Sequence, residues 1–481
     1  MNNPLRHVSL VVAVLFLLLF GSTTYFQVIA QGSLNSDPRN ARAIYNEYDR
    51  DRGPIVVDGQ PIAYSTRTDG TYGYLRQYEQ GPMYAPVTGY YSVVYGFSGI
   101  ERAMNPALSG EDDALFYQRI SDMVAGRSPQ GATVELTLDS ATQQAAWDAM
   151  QGQRGAVVAL DPATGEILAM VSTPSYDPDD LASHNRPAVS DSWEALRDDP
   201  SRPLTNRAIG GDLYPPGSTF KLLVAAAALE SGEYTTDSVI PGPGTYTLPQ
   251  TQNVMNNFAG GDQSPCGPGE ESTLQDAMRQ SCNTSFALLG TELGEDALQE
   301  TTREFGFGQR LEIPHGVTPS TIGTELDDAQ LATTSIGQFE DRVTPLQMAM
   351  VAGAFANDGV VMQPQLVKSV RTSDLQEIQS FSARELSQPL SASNASQMRE
   401  MMRASVDDGT GAAAQIPGAE VGGKTGTAQW GDGRAPHSWF VGYAEMDGRE
   451  IAVAVVVEEG GYGSQVAAPI ARSVMEAGVQ S

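Results

Sequence analysis

Two apolar runs on either side of a turn constrain the fold of this chain more than any other stretch. They lie in "RGAVVALDPATGEILAMVSTPSYDP", where Ala156–Leu160 and Ile167–Ser172 flank "DPATGE". β-Branched residues in the runs, with Pro, Gly and Asp in the turn, predict a β-hairpin. The C-terminal part supplies three more strand patterns, "GGKTGTAQ", "SWFVGYAEM" and "EIAVAVVVEE", and a closing helix, "QVAAPIARSVMEAG". Helical patterns fill the middle. One is "TLQDAMRQSCNTSFALLGTELG". Another is "TPLQMAMVAGAFANDG", with Thr344 and Pro345 as N-cap and N1 and Gly359 after its end. Strands at both ends with helices between them predict an α/β (α+β) architecture, an antiparallel sheet packed between helices.

A chain of 481 residues exceeds one compact core, so two or three folded units are expected. We place the divisions at 31/32 and 150/151. In the middle unit, "DRGPIVVDGQPIAYS" reads as a hairpin about an Asp-Gly turn. "EDDALFYQRISDMVAG" has helical spacing, and "ATVELTLDSATQQAAWDAMQG" turns from strand to helix after Asp139, an N-cap. Residues 31–46 read as a polar linker or helix start. Ahead of them, Arg6 and His7 precede the apolar run Leu10–Phe20, and a mixed stretch continues to Ala30. The short run suits a signal peptide and the longer stretch a membrane-spanning helix. On either reading the rest of the chain is exported, with Arg6 marking the cytoplasmic side.

The net charge of −29 and pI near 4.4 exclude a nucleic-acid-binding surface, which has to be basic. Cys266 and Cys282 are the only cysteines, and in an exported chain a disulfide is favoured over two thiols. With four scattered histidines they form no zinc pattern, and no metal or other cofactor is expected.

Of the 29 basic residues only three are lysines: Lys221, Lys368 and Lys424. Arginine keeps its proton at ordinary pH, whereas a buried lysine can lose it. Lys368 has no motif around it and is expected at the surface. Lys221 lies in "PPGSTFKLLVAAAALESGEY", three residues after Ser218, at the start of a helix apolar nearly all round. The spacing puts both side chains on one face of a buried helix. Burial lowers the lysine pKa, so a neutral Lys221 could take the proton of Ser218 and make it nucleophilic. Two companions follow in order, "SCN" (Ser281-Cys282-Asn283) and "KTGT" (Lys424-Thr425-Gly426-Thr427).

With these three motifs the sequence resembles the penicillin-binding proteins. "NRAIGGDLYPPGSTFK", "SIGQFEDRVTPLQMA", "GGKTGTAQ" and "HSWFVGYA" are similar to that family's transpeptidase domain, from about Arg154 onward. "DRGPIVV" and "LTLD" resemble the pedestal of the monofunctional class B members, and "APVTGYYSVVYGFSGIERAMNPALSG" the actinobacterial PbpA type. The resemblance implies an uncleaved anchor in 1–31, a mostly-β pedestal or dimerisation-type domain in 32–150 and a transpeptidase domain in 151–481. It places the catalytic domain outside the cytoplasm of a single-pass membrane protein. It implies acyl transfer from D-Ala-D-Ala stem peptides of peptidoglycan, with β-lactam antibiotics as acylating mimics. Ser218 is then the nucleophile, Lys221 the base, and Ser281 and Lys424 a proton shuttle. Asn283, Thr425, Gly426 and Thr427 bind substrate. Gly426 suits a strand edge that another backbone approaches. A membrane glycosyltransferase and division proteins are the implied partners.

Cys282 departs from the family's usual Asp; bridged to Cys266, it would hold Ser281 and Asn283 rigid. No glycosyltransferase motif precedes the transpeptidase region, which speaks against a bifunctional enzyme. The rivals are a β-lactamase, a D,D-carboxypeptidase and a non-catalytic sensor or scaffold. Against the first, no Glu-x-x-Asn follows Asn283; against the last, the catalytic residues are intact. The carboxypeptidase shares every catalytic residue.

Overall fold

A strand that is apolar on both faces has to be covered on both, and the sheet predicted from the two ends of the chain meets that demand. The computed structural model describes residues 2–30, 48–115, 130–257, 262–311, 313–429, 431 and 433–481. Five strands run in the order Glu420–Ala428, His437–Met446, Arg449–Val457, Gly155–Leu160, Ile167–Thr173, all neighbours antiparallel. Side chains alternate between two cores. Val157, Ala159, Val453 and Val455 face one; Val158, Leu160, Ala454 and Val456 face the other. Helices Ser140–Ala149 and Ala467–Gln480 cover the first core. Helices Lys221–Glu230 and Pro345–Ala356 fill the second. Asp139 and Thr344 cap their helices as expected, accepting from Thr142 N at 2.7 Å and Gln347 N at 3.1 Å.

A second, six-stranded sheet holds the predicted hairpin, Ile55–Val57 with Gln60–Arg67, closed by Asp58 and Gly59 at φ +49° and +73°. Such positive φ values at both turn residues give the twist that a two-residue hairpin needs. Its order is Glu377–Ser380, Val367–Arg371, Thr133–Leu136, Ile55–Val57, Gln60–Arg67, Tyr74–Tyr78. The first two strands come from far beyond residue 150, so a cut at 150/151 passes through this sheet. Beside its strands the N-terminal region carries three short helices, Gly81–Thr88, Gly99–Ala103 and Asn105–Leu108. At its centre Glu101 is buried, paired with Arg52 at 2.7 Å and Arg76 at 2.6 Å.

The linker expected at 31–46 and most of the helical pattern after residue 111 lie outside the described residues; Asp113–Leu115 is a 3₁₀ turn. Helix Asn2–Thr24 runs on through a π turn, Tyr25–Ile29, and Leu5–Gln27 is long and apolar enough to cross a membrane. Lys368 is exposed, as expected.

Candidate active site

Ser218 sits in a 3₁₀ turn, Gly217–Phe220, that leads directly into helix Lys221–Glu230. The turn is clamped from three sides. Gly217, at φ +55°, donates from its N to Gly337 O at 2.8 Å. Trp439 Nε1 donates to Pro215 O at 3.1 Å. Gly426 backs onto the turn so closely that a Cβ there would lie 3.0 Å from Pro216 O and from Thr219 Cγ2. Besides any peptide that approaches this strand edge, the turn bearing Ser218 itself requires a glycine here.

Apolar spacing predicts one helix through the second motif, and here the structure differs. Helix Leu274–Gln280 stops and Asn283–Leu293 starts anew, with Ser281 between them at φ +64°. A left-handed serine costs about 1–2 kcal/mol. The surrounding links hold it there. Cys282 is joined to Cys266 by the chain's disulfide. Asn257 Nδ2 donates to Cys266 Sγ at 2.7 Å, and Asn257 O accepts from Asn283 N at 3.2 Å. Asn283 Nδ2 donates to Asn256 O at 3.1 Å.

The third motif lies on Glu420–Ala428, the edge of the five-stranded sheet, whose outer side carries no strand among the described residues. Lys424 Nζ donates to Ser281 Oγ at 2.7 Å and to Thr425 O at 3.1 Å. Lys221 Nζ donates to Asn283 Oδ1 at 2.7 Å, to Ser281 O at 2.8 Å and more weakly to Ser281 Oγ at 3.4 Å. Both lysines are fully buried, without an ion-pair partner among the described residues. Burial, with the charge of Lys424 nearby, pulls the Lys221 amine far below its usual range, and burial alone brings Lys424 down to about 7.

The structure therefore gathers Lys221, Ser281, Asn283 and Lys424 into one hydrogen-bonded cluster, with Thr425, Gly426 and Thr427 on its rim. It does not join Ser218 to Lys221 by a hydrogen bond, because the amine is turned towards the Ser281–Asn283 break. Asn257 and Thr410, whose hydroxyl accepts from Thr425 Oγ1 at 2.8 Å, were not singled out from the sequence. Both come from segments without a motif. No group of three or more metal-ligating side chains occurs among the described residues.

The pattern described as the penicillin binding protein transpeptidase domain matches residues 155–476. The chain belongs to the penicillin-binding proteins. A second pattern, the penicillin binding protein A dimerisation domain, matches residues 52–134. This penicillin-binding protein is 44% identical to the peptidoglycan D,D-transpeptidase PbpA of Mycolicibacterium smegmatis, over 100% of this chain and 99% of the relative. It is 42% identical to PbpA of Mycobacterium tuberculosis over the same shares. Among solved structures, penicillin-binding protein A of M. tuberculosis as a ceftriaxone acyl-enzyme matches with a TM-score of 0.87 and 41% identity, covering 91% of this chain and 100% of that one. Its penicillin G acyl-enzyme matches with a TM-score of 0.85 and 42% identity, covering 89% and 99%.

Proposed function

We propose that this class B penicillin-binding protein is a peptidoglycan D,D-transpeptidase whose acyl-enzyme forms on Ser218. One observation carries the assignment of residues: the amines of Lys221 and Lys424 converge on Ser281 Oγ, and the turn bearing Ser218 leads straight into Lys221. A neutral Lys221 has two N–H donors and one lone pair. Ser281 O and Asn283 Oδ1 use the donors, so the third position, facing Ser281 Oγ at 3.4 Å, carries the lone pair, and a turn of the amine brings it to the Ser218 proton.

Ser218 Oγ attacks the penultimate D-alanine carbonyl and its proton passes to Lys221. The C–N bond to the terminal D-alanine breaks, and the leaving amine takes a proton through Ser281 and Lys424. An acceptor amine then attacks the ester carbonyl, the bond to Ser218 Oγ breaks as the cross-link forms, and the proton shed by the amine returns to Ser218 through Lys221. The N–H groups of Ser218 and Thr427 stabilise the oxyanion. Support for their proximity is the contact of Gly217 with Thr427, whose carbonyl oxygen lies 3.0 Å from where a Cβ on Gly217 would be. The arriving carboxylate draws Lys424, lowered to about 7 by burial, to its protonated form; Lys424, Thr425 and Thr427 hold that carboxylate, and Asn283 the substrate amide. The extended peptide lies along the open edge of Glu420–Ala428. A β-lactam follows the first half of this path and stays on Ser218.

The protein is placed at a membrane. We assign it a single span, Leu5–Gln27, with the catalytic domain on the extracytoplasmic side and a membrane glycosyltransferase and division proteins as partners. Labelled penicillin should mark the wild type and leave Ser218→Ala unmarked; equal labelling would refute the assignment. Incubation with a stem-peptide analogue and an amine acceptor should give the transfer product in excess of the hydrolysis product. Hydrolysis alone would make the protein a carboxypeptidase.

A further inference from the structure

A pocket of about 580 Å³ lies where the region matching the dimerisation pattern meets the transpeptidase region. Arg102 enters its wall from the first region and Arg310 from the second. Neither guanidinium has an ion pair or hydrogen bond among the described residues. No carboxylate lines the pocket among those residues, in a chain with 58 Asp plus Glu against 29 Lys plus Arg. Two exposed guanidinium groups without a carboxylate partner, lining one crevice of an otherwise acidic protein, make that crevice locally positive. An anion would supply the missing partner, and guanidinium forks suit a carboxylate.

The rest of the wall fits an organic ligand better than a bare ion. Pro86, Tyr176, Leu204 and Pro314 give apolar surface. His315 lines the same wall, and its Nδ1 is buried without a hydrogen-bond partner. A buried polar atom left unsatisfied in a native structure calls for a missing partner. The volume falls within the range of small-molecule sites, which favour domain junctions. The floor is tied to both regions, since Asn206 Nδ2 donates to Pro86 O at 2.8 Å.

We propose that this pocket binds a carboxylate-bearing peptidoglycan fragment, an uncross-linked muramyl peptide, with its carboxylate held between Arg102 and Arg310. The choice of fragment rests on the transpeptidase reading, because such peptides surround the enzyme wherever it works. The site is separate from Ser218, so the catalytic site can be blocked while binding is measured.

The test uses the full chain in a detergent micelle, first acylated with penicillin G. An acidic muramyl pentapeptide, its fully amidated counterpart and inorganic phosphate are then titrated calorimetrically. The acidic peptide should bind and the amidated one should not. Arg102→Gln and Arg310→Gln should each weaken binding about tenfold, the scale of one charged contact, while penicillin labelling stays intact. No binding by the acidic peptide, or binding indifferent to amidation and to both substitutions, overturns the proposal. So does binding of phosphate alone. A protein that penicillin fails to label would instead fault the Ser218 reading.

Discussion

At the scale of single residues, a buried amine serves acyl transfer only while it can shed its proton. Lys221 and Lys424 are both fully buried and both held towards the neutral form. Lys221→Arg keeps the charge and loses the lone pair. Acylation by labelled penicillin should fall by about 10²–10⁴-fold, the range for a lost general base. Circular dichroism should show a folded protein, and Lys221→Met, without charge or lone pair, should fail equally. Normal acylation by the Met variant would exclude Lys221 as the base. Lys424 also gives a stability prediction. Its amine titrates near 7 in the fold and near 10.5 when unfolded. Between those values the unfolded chain binds more protons, so stability rises with pH across the window and the penalty is fully present below it. Lys424→Met should flatten that rise in melting temperature between pH 7 and 10; an unchanged slope would contradict the burial argument. These lysines were legible because the chain uses lysine so rarely. Asn257 and Thr410 were not, since an asparagine or threonine in a loop has no local pattern that announces its distant partner.

At the scale of elements, the site depends on three segments kept at fixed spacing. Gly426 sets one spacing: a Cβ there would meet Trp439 Cβ at 2.9 Å and Pro216 O and Thr219 Cγ2 at 3.0 Å. Gly426→Val should push the strand from the Ser218 turn and lower the acylation rate at least tenfold, while the melting temperature falls by only a few degrees, as about 1–3 kcal/mol of overpacking implies. Both are read from one preparation by stopped-flow acylation and calorimetry. The Cys266–Cys282 bridge sets another. Its 16-residue separation corresponds to about 3 kcal/mol in the chain-entropy view. Reductant should lower both the melting temperature and the acylation rate; if neither moves, the bridge does not brace the site. The motif strand and the capped helices were legible from period and end signals. The break at Ser281 was not, because apolar spacing continues through it and the left-handed serine is held by distant partners: the disulfide, the Asn257 contacts and the amines of Lys221 and Lys424.

At the scale of the whole molecule, the six-stranded sheet ties the two ends of the fold together. A protein cut to residues 151–481 would leave Val367–Arg371 without the Thr133–Leu136 strand beside it. Such a fragment should melt below the intact protein and associate through that edge, and the intact protein should lose both sheets in one calorimetric transition. An unchanged melting temperature for a monomeric fragment would show the shared sheet to be dispensable. This pairing was hidden in the sequence, where local patterning marks strands but not their distant neighbours. Its timing matters as well. Ser369 Oγ donates to Glu135 across the shared sheet, and the two residues are 234 apart in the chain. At roughly 5–20 residues per second of synthesis, the second strand trails the first by on the order of 10–50 s. For that interval the emerging chain presents a bare β edge. The yield of folded protein is thus set by how quickly the rest follows as much as by how stable the finished sheet is.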